Sequence, residues 1–283
     1  MQADVLGSYR GIPYGYGSGV RICNPRTRIR IPYTNIASLP VYARISYTCP
    51  YMTGHVHPIS SAISRINAIF NDLGFEFAEG PLIESEYYCF DALNFKRDHP
   101  ARDMQDTFFI KGKEEAVLRT HTSTVQIRYM ESHEPPIRII APGRVFRAEA
   151  TDATHESQFF QFEGLYVDKG ASLAHLKGVL EHFFSKFYER DITVRFRPGF
   201  FPFVEPGVEV DMLFKKKDGT EKWVEIMGAG MVHPNVLRNC DIDPDVYSGF
   251  AFGVGLERLI AIAAEVDDVR HFHTGDLRFV HQF

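Results

Sequence analysis

Three short stretches carry residue types that could do chemistry. In Gln158–Val167 the side chains of a strand would alternate faces. Phe159, Gln161 and Glu163 then share one face, and Phe160, Phe162 and Tyr166 the other. The second face is apolar and suited to packing on helices. The first presents a ring, an amide and a carboxylate, which resembles the floor of a polar cleft. A neighbouring run, Arg144–Glu149, aligns Arg147 and Glu149 in the same way. An exposed sheet face laced with cross-strand ion pairs would show the same residues. The third stretch, Gly249–Arg258, runs from a strand into a helix through Gly253 and Gly255, which let a ligand approach the backbone closely. Arg258 then falls in the first helical turn, where the dipole disfavours a cation unless an anion lies nearby. That position points to a phosphate, although a solvated arginine would look the same. The spacing is G-x-G-x-x-R, so a nicotinamide site is not indicated, and no Walker phosphate loop is present.

The elements that must position these groups can be read from periodicity. Ile59, Ile63, Ile66, Phe70 and Leu73 recur at helical steps and stop at Gly74. A second helix follows Gly170, with Leu173, Leu176, Val179, Leu180, Phe183 and Phe187 on its stripe, and a third covers Leu256–Ala264. Strand-like runs occupy 107–110, 137–140, 144–149, 158–167, 192–197, 208–214, 222–227 and 249–253. Strands arriving in succession with one long helix among them predict an α+β fold, an antiparallel β-sheet flanked by helices.

Composition narrows the class further. The 283 residues are 45% hydrophobic and 24% charged, with net charge −5, which excludes global disorder and allows a substantial core. No apolar run is long enough to span a membrane, so no membrane partner is expected. Cys23, Cys49, Cys89 and Cys240 form no C-x-x-C pair, which fits a reducing, cytoplasmic setting. The charge is unevenly spread. Residues 1–54 hold six arginines against one acid, together with seven of the 13 tyrosines and many glycines and prolines, whereas the remainder is acidic. We therefore expect a basic Gly/Pro/Tyr-rich leader over 1–54, poorly ordered or serving as a nucleic-acid arm, and a catalytic domain over 55–283.

Within that domain the stretches Arg119–Ser123, Pro142–Arg147, Thr151–Glu156, Gln161–Gly164, Phe201–Gly207, Gly228–Pro234 and Phe250–Arg258 occur in order. Asp98–Met104 and Asp276–Phe279 accompany them. Together they resemble the catalytic domain of the bacterial-type phenylalanyl-tRNA synthetase alpha subunit, a class II aminoacyl-tRNA synthetase. The resemblance covers about 55–283 and implies the class II catalytic fold. It implies activation of L-phenylalanine with ATP as substrate, giving phenylalanyl-adenylate, and transfer to tRNA(Phe). In that reading Arg147 and Arg258 are catalytic, binding the α-phosphate and the distal phosphates. Glu149, His155 and Phe159 complete the ATP site. His121, Ser123, Gln161 and Glu163 take the polar end of the amino acid. Phe201 and Phe203, alternating onto one face of a strand across Pro202, meet its ring, and Ala251 and Gly253 form the back wall. Glu205 would bind Mg2+ at a site shared with the beta subunit of an (αβ)2 heterotetramer. Residues 1–54 lack the length, heptads and Lys/Glu content of the family's N-terminal coiled-coil arm. That leaves a natural variant or a missing 5′ portion of the reading frame. A stand-alone amino-acid-adenylating paralogue and a non-catalytic module derived from the fold remain alternatives.

Overall fold

A computed structural model describes residues 54–96, 107–113, 115–215 and 219–283. Expectations for the leader and for Asp98–Met104 lie outside these residues.

Helix α1 (Pro58–Asp72) starts where Pro58 suits the first turn and His57 accepts from the Ile59 amide. It ends before Gly74, whose φ of +77° favours glycine. Two short strands follow, β1 (Glu76–Phe77) and β2 (Ile83–Ser85), then a π-helical turn (Tyr87–Asp91) and β3 (Ala116–Leu118). Next come α2 (Ser123–Ser132), β4 (Ile137–Phe146), β5 (Gln158–Asp168) and α3 (Leu173–Tyr188). The chain continues through β6 (Val194–Phe201), β7 (Val204–Lys215), β8 (Glu221–Val232), α4 (Pro234–Asn239), β9 (Ser248–Gly255) and α5 (Leu256–Ala264). A 3-10 turn (Val269–Phe272) and α6 (Leu277–Val280) close the fold.

Seven strands form one sheet in the order β1-β4-β5-β9-β8-β7-β6, antiparallel except for the β1–β4 pair. Strands β2 and β3 make a separate antiparallel ribbon. The expected α+β architecture is present, and α1, α3 and α5 cover one face. Phe70, Phe162, Phe183 and Phe252 interlock there, with ring centroids 5.1–5.7 Å apart. Phe162, predicted on the apolar face of β5, is fully buried in this cluster. A second cluster, including Phe90, Ile127, Ile139 and Leu165, fills the space under α2 and the π-helical turn. Among the described residues no helix is long and apolar enough to cross a membrane.

Several local expectations are corrected. The runs 137–140 and 144–149 are one strand that ends at Phe146, so Arg147 and Glu149 lie beyond it and owe nothing to strand alternation. Strand β1 reaches only Ile139 and Ile140. At Pro142 β4 is therefore an edge, where a missing N–H costs no ladder bond. The run 107–110 contributes a single bridge, Phe109 to Val117, and no strand. Phe201 ends β6, and Phe203 sits in the turn before β7, so the two rings do not share a strand face. Helix α2 went unpredicted.

Candidate active site

The opposite face of β5 floors a cavity of about 570 Å³. Its polar end is built around Glu163, which is 4% exposed. The carboxylate accepts from Ser123 Oγ at 2.6 Å, Gln126 Nε2 at 2.8 Å and the Thr122 amide at 3.2 Å. All three donors come from α2 and the residue preceding it. Burial nevertheless pushes the Glu163 carboxyl up to about 7, against the opposing pull of Ser123, Thr122, Arg119 and Arg147. Across the ladder Glu163 faces Gly253. A Cβ there would stand 2.8 Å from Glu163 Cγ, so only glycine leaves the carboxylate its place.

Two acceptor atoms of residues lining this end have no partner among the described residues. Gln161 Oε1 is buried and unbonded. His121 donates from Nε2 to the Cys89 carbonyl at 2.9 Å, a carbonyl supplied by the π-helical turn. Its Nδ1 is thereby the bare acceptor of a neutral ring, buried and unbonded. Burial pushes this imidazole down to about 4, so it stays neutral at pH 7. A buried acceptor without a donor costs about 1–3 kcal/mol, and each of these is chemically suited to an N–H donor of a ligand.

The other end is apolar. Phe201 and Phe203 converge from the β6–β7 hairpin with centroids 5.9 Å apart, and Phe95 packs on Phe203 at 5.8 Å. Ala229 and Ala251 supply small side chains to the wall. Arg147 also lines the cavity. Its guanidinium lies 5.1 Å over the Phe159 ring and donates from Nε to the Thr120 carbonyl at 3.3 Å. Burial lowers its pKa, with Glu149 and Glu163 opposing. A desolvated guanidinium held by one carbonyl and one ring keeps donors free for an anion.

Comparison with known proteins shows the family. Residues 45–283 match the family described as tRNA synthetases class II core domain (F). The phenylalanine–tRNA ligase alpha subunit of Coxiella burnetii is 55% identical over 230 residues, covering 81% of this chain and 68% of the relative. That of Caldicellulosiruptor saccharolyticus is 52% identical over 250 residues (85% and 73%), and that of Xylella fastidiosa 50% over 243 (85% and 72%). The chain belongs to the phenylalanine–tRNA ligase alpha-subunit family. The fold also superposes on pyrrolysyl-tRNA synthetase from Desulfitobacterium hafniense, with TM-score 0.58 and 20% identity over 77% of this chain and 73% of that one.

Eight of the side chains predicted for this synthetase site meet at the cavity: His121, Ser123, Arg147, Gln161, Glu163, Phe201, Phe203 and Ala251, with Gly253 beside them. Phe159 lies under Arg147, and Glu149 is near enough to act on the same guanidinium. Others stand outside the cavity. Arg258 is exposed in the first turn of α5 and donates to the Glu225 carbonyl at 2.8 Å. Glu257 lies in the same turn, with its carboxylate turned to the Phe160 amide and His273. His155 lies in the β4–β5 loop, where Asp152 accepts from its amide and pairs with its ring. Glu205 is exposed and pairs with His233 Nε2 at 3.2 Å. Among the described residues no group of three or more His, Cys, Asp or Glu could hold a metal ion.

Sequence reading missed Gln126, which binds Glu163, and Leu93, Phe95, Met130, Val232 and Val236, which deepen the apolar end. It also gave no role to Arg119, although that residue opens a quoted stretch. Buried at 4% exposure, Arg119 donates to the carbonyls of Arg144 and Gly80 and so ties β4 to the segment before β2.

Proposed function

We propose that this chain is the catalytic alpha subunit that activates L-phenylalanine with ATP to phenylalanyl-adenylate and transfers the acyl group to tRNA(Phe). One observation carries the reading. A single cavity sets two unbonded buried acceptors and a carboxyl against a pair of phenylalanine rings, with an underbonded arginine at its side. The first group suits an ammonium, the second a phenyl ring, and the third an α-phosphate or carboxylate.

In this reading Gln161 Oε1 and His121 Nδ1 accept from the α-ammonium, with Glu163 behind them as counter-charge and Ser123 orienting it. Phe201 and Phe203 meet the substrate ring edge-to-face, and Ala251 and Gly253 close the wall behind it. A tyrosine would bury its hydroxyl there without a partner. The substrate carboxylate attacks the α-phosphorus of ATP, and pyrophosphate leaves. Arg147 bridges the two reactants and neutralises charge as it builds, which is the larger part of such catalysis. Phe159 stacks on adenine, Glu149 accepts from its amino group, His155 supports the nucleotide, and Arg258 leaves the Glu225 carbonyl for the distal phosphates.

Mg2+ would be held by Glu205. Its carboxylate faces solvent with His233 against it, so it would offer one hard oxygen ligand, the remainder coming from water, phosphate or a partner subunit. When bound, the ion supplies positive charge at that surface. The beta subunit, an (αβ)2 assembly, a cytoplasmic setting, a catalytic unit over 55–283 and a basic leader over 1–54 complete the proposal. Exchange of labelled pyrophosphate into ATP should depend on phenylalanine when the chain is co-expressed with a beta subunit, and tRNA charging should follow. Exchange that ignores phenylalanine, or is absent, would sink the reading.

A further inference from the structure

Strand β5 is paired to β9 only from Gln161, opposite Gly255, to Asp168, opposite Ser248. One residue past Gly255 the chain turns into α5, so β5 loses its partner at Phe160. The Phe160 amide is not left unpaired. It donates to both carboxylate oxygens of Glu257, at 2.8 and 3.1 Å. Glu257 is 3% exposed and sits in the first turn of α5, next to Arg258. Its Oε1 also accepts from His273 Nε2 at 3.1 Å. His273 follows the 3-10 turn, whose Phe272 is 2% exposed and whose carbonyl pairs with His57 Nε2. One buried carboxylate thus spans the unpaired end of β5, the start of α5 and the C-terminal segment.

Both elements that meet there carry a group assigned above to the nucleotide. Phe159 precedes the tethered amide and lies beyond the last β5–β9 pair, and Arg258 follows Glu257 in the chain. Gln161 and Glu163 are different, because they lie inside the ladder and are held by backbone pairing with Gly255 and Gly253. We infer that Glu257 is a positioning residue that sets Phe159 and Arg258 in register with each other, and so aligns the base and distal phosphates of one nucleotide. His273 holds the carboxylate in that pose. The inference rests on the ATP-dependent reading and adds Glu257 and His273 to its machinery.

The test compares Glu257→Ala, Glu257→Gln and His273→Ala in the full chain co-expressed with a beta subunit. ATP affinity is titrated directly, and KM for ATP and for phenylalanine is read from pyrophosphate exchange. E257A should weaken ATP about tenfold, the effect of a lost charge-assisted hydrogen bond, while KM for phenylalanine changes less than about twofold. E257Q keeps an amide oxygen for Phe160 and should stay within about threefold of the wild type. H273A should weaken ATP by about threefold and decides the matter if E257A does not fold. Equal weakening of both substrates by E257A would reduce Glu257 to general scaffolding and overturn the inference. So would E257Q as impaired as E257A, or unchanged ATP affinity in H273A. A wild-type chain with no phenylalanine-dependent exchange would instead defeat the parent reading, and the ATP titrations would still judge Glu257.

Discussion

Replacing Glu163 by glutamine should stabilise the chain while removing its grip on phenylalanine, and the stabilisation should depend on pH in a defined direction. Burial raises this carboxyl from its ordinary 4.5 to about 7. Between those values the unfolded chain has released the proton while the folded chain still holds it. Folding is therefore progressively disfavoured as pH rises from about 4.5 to about 7, and the cost is constant above that. Two-state linkage puts the cost at about 1 kcal/mol at pH 5.5 and about 3 kcal/mol at pH 8. Glutamine cannot ionise and carries no such term. All other titrating groups are common to both chains, so the difference between them isolates residue 163. The Tm of E163Q minus that of the wild type should widen by about 2 kcal/mol, or about 4–8 °C, between pH 5.5 and pH 8. Scanning calorimetry at the two pH values measures it. A gap that stays constant or narrows would refute the reasoning, because it would mean that the Ser123, Gln126 and Thr122 donors with Arg119 and Arg147 outweigh desolvation and keep the carboxylate charged.

Four further expectations follow from the same geometry. Phenylalanine binding at pH 7 should release about half a proton, because an ammonium beside a carboxyl of pKa about 7 drives its ionisation; titration calorimetry in buffers of different ionisation enthalpy would find none if Glu163 is not the counter-charge. Arg147→Ala should lower exchange turnover by about two orders of magnitude or more with the fold intact by circular dichroism, and near-normal turnover would remove its assigned role. Ala251→Gly, which clears a methyl from the buried wall, should raise kcat/KM for para-chlorophenylalanine by about tenfold in pyrophosphate exchange; unchanged discrimination would put the limiting wall elsewhere. Gly164→Ala would drive a Cβ into the buried Phe252 ring, 2.6 Å from Cε1, and should lower stability by about 1–3 kcal/mol in urea unfolding, whereas an unchanged midpoint would show that the ring can move aside.

The sequence was legible where an element serves the apolar core and obscure where it serves the polar site. Helices α1, α3 and α5 announce themselves because the residues they bury are Ile, Leu and Phe at helical spacing. Helix α2 buries Ser123, Thr124 and Gln126 alongside Val125, Ile127 and Met130. Its inward face is polar because it must supply donors to Glu163, and that erases the period by which a helix is recognised. Phe201 and Phe203 reach the cavity for a reason other than the predicted one. A hairpin turn brings together rings that strand alternation was expected to align.

What no sequence pattern could supply is the identity of the atoms left over. Gln161 and His121 are each capable of donating and accepting, and their types say only that a polar site is possible. Their assignment follows from subtraction. The Cys89 carbonyl consumes the His121 Nε2 proton, which makes Nδ1 an acceptor. The α2 donors occupy Glu163, which leaves Gln161 Oε1 and His121 Nδ1 as the open acceptors lining that end, the two atoms to which the proposed function assigns the ammonium. On that assignment the counter-charge stands one layer behind neutral acceptors, and burial, which pushes the Glu163 carboxyl up, lowers the cost of keeping it in the empty site. If Glu163 is the counter-charge, the stability forfeited by burying it and the selectivity for an ammonium have one origin, and E163Q should remove both together.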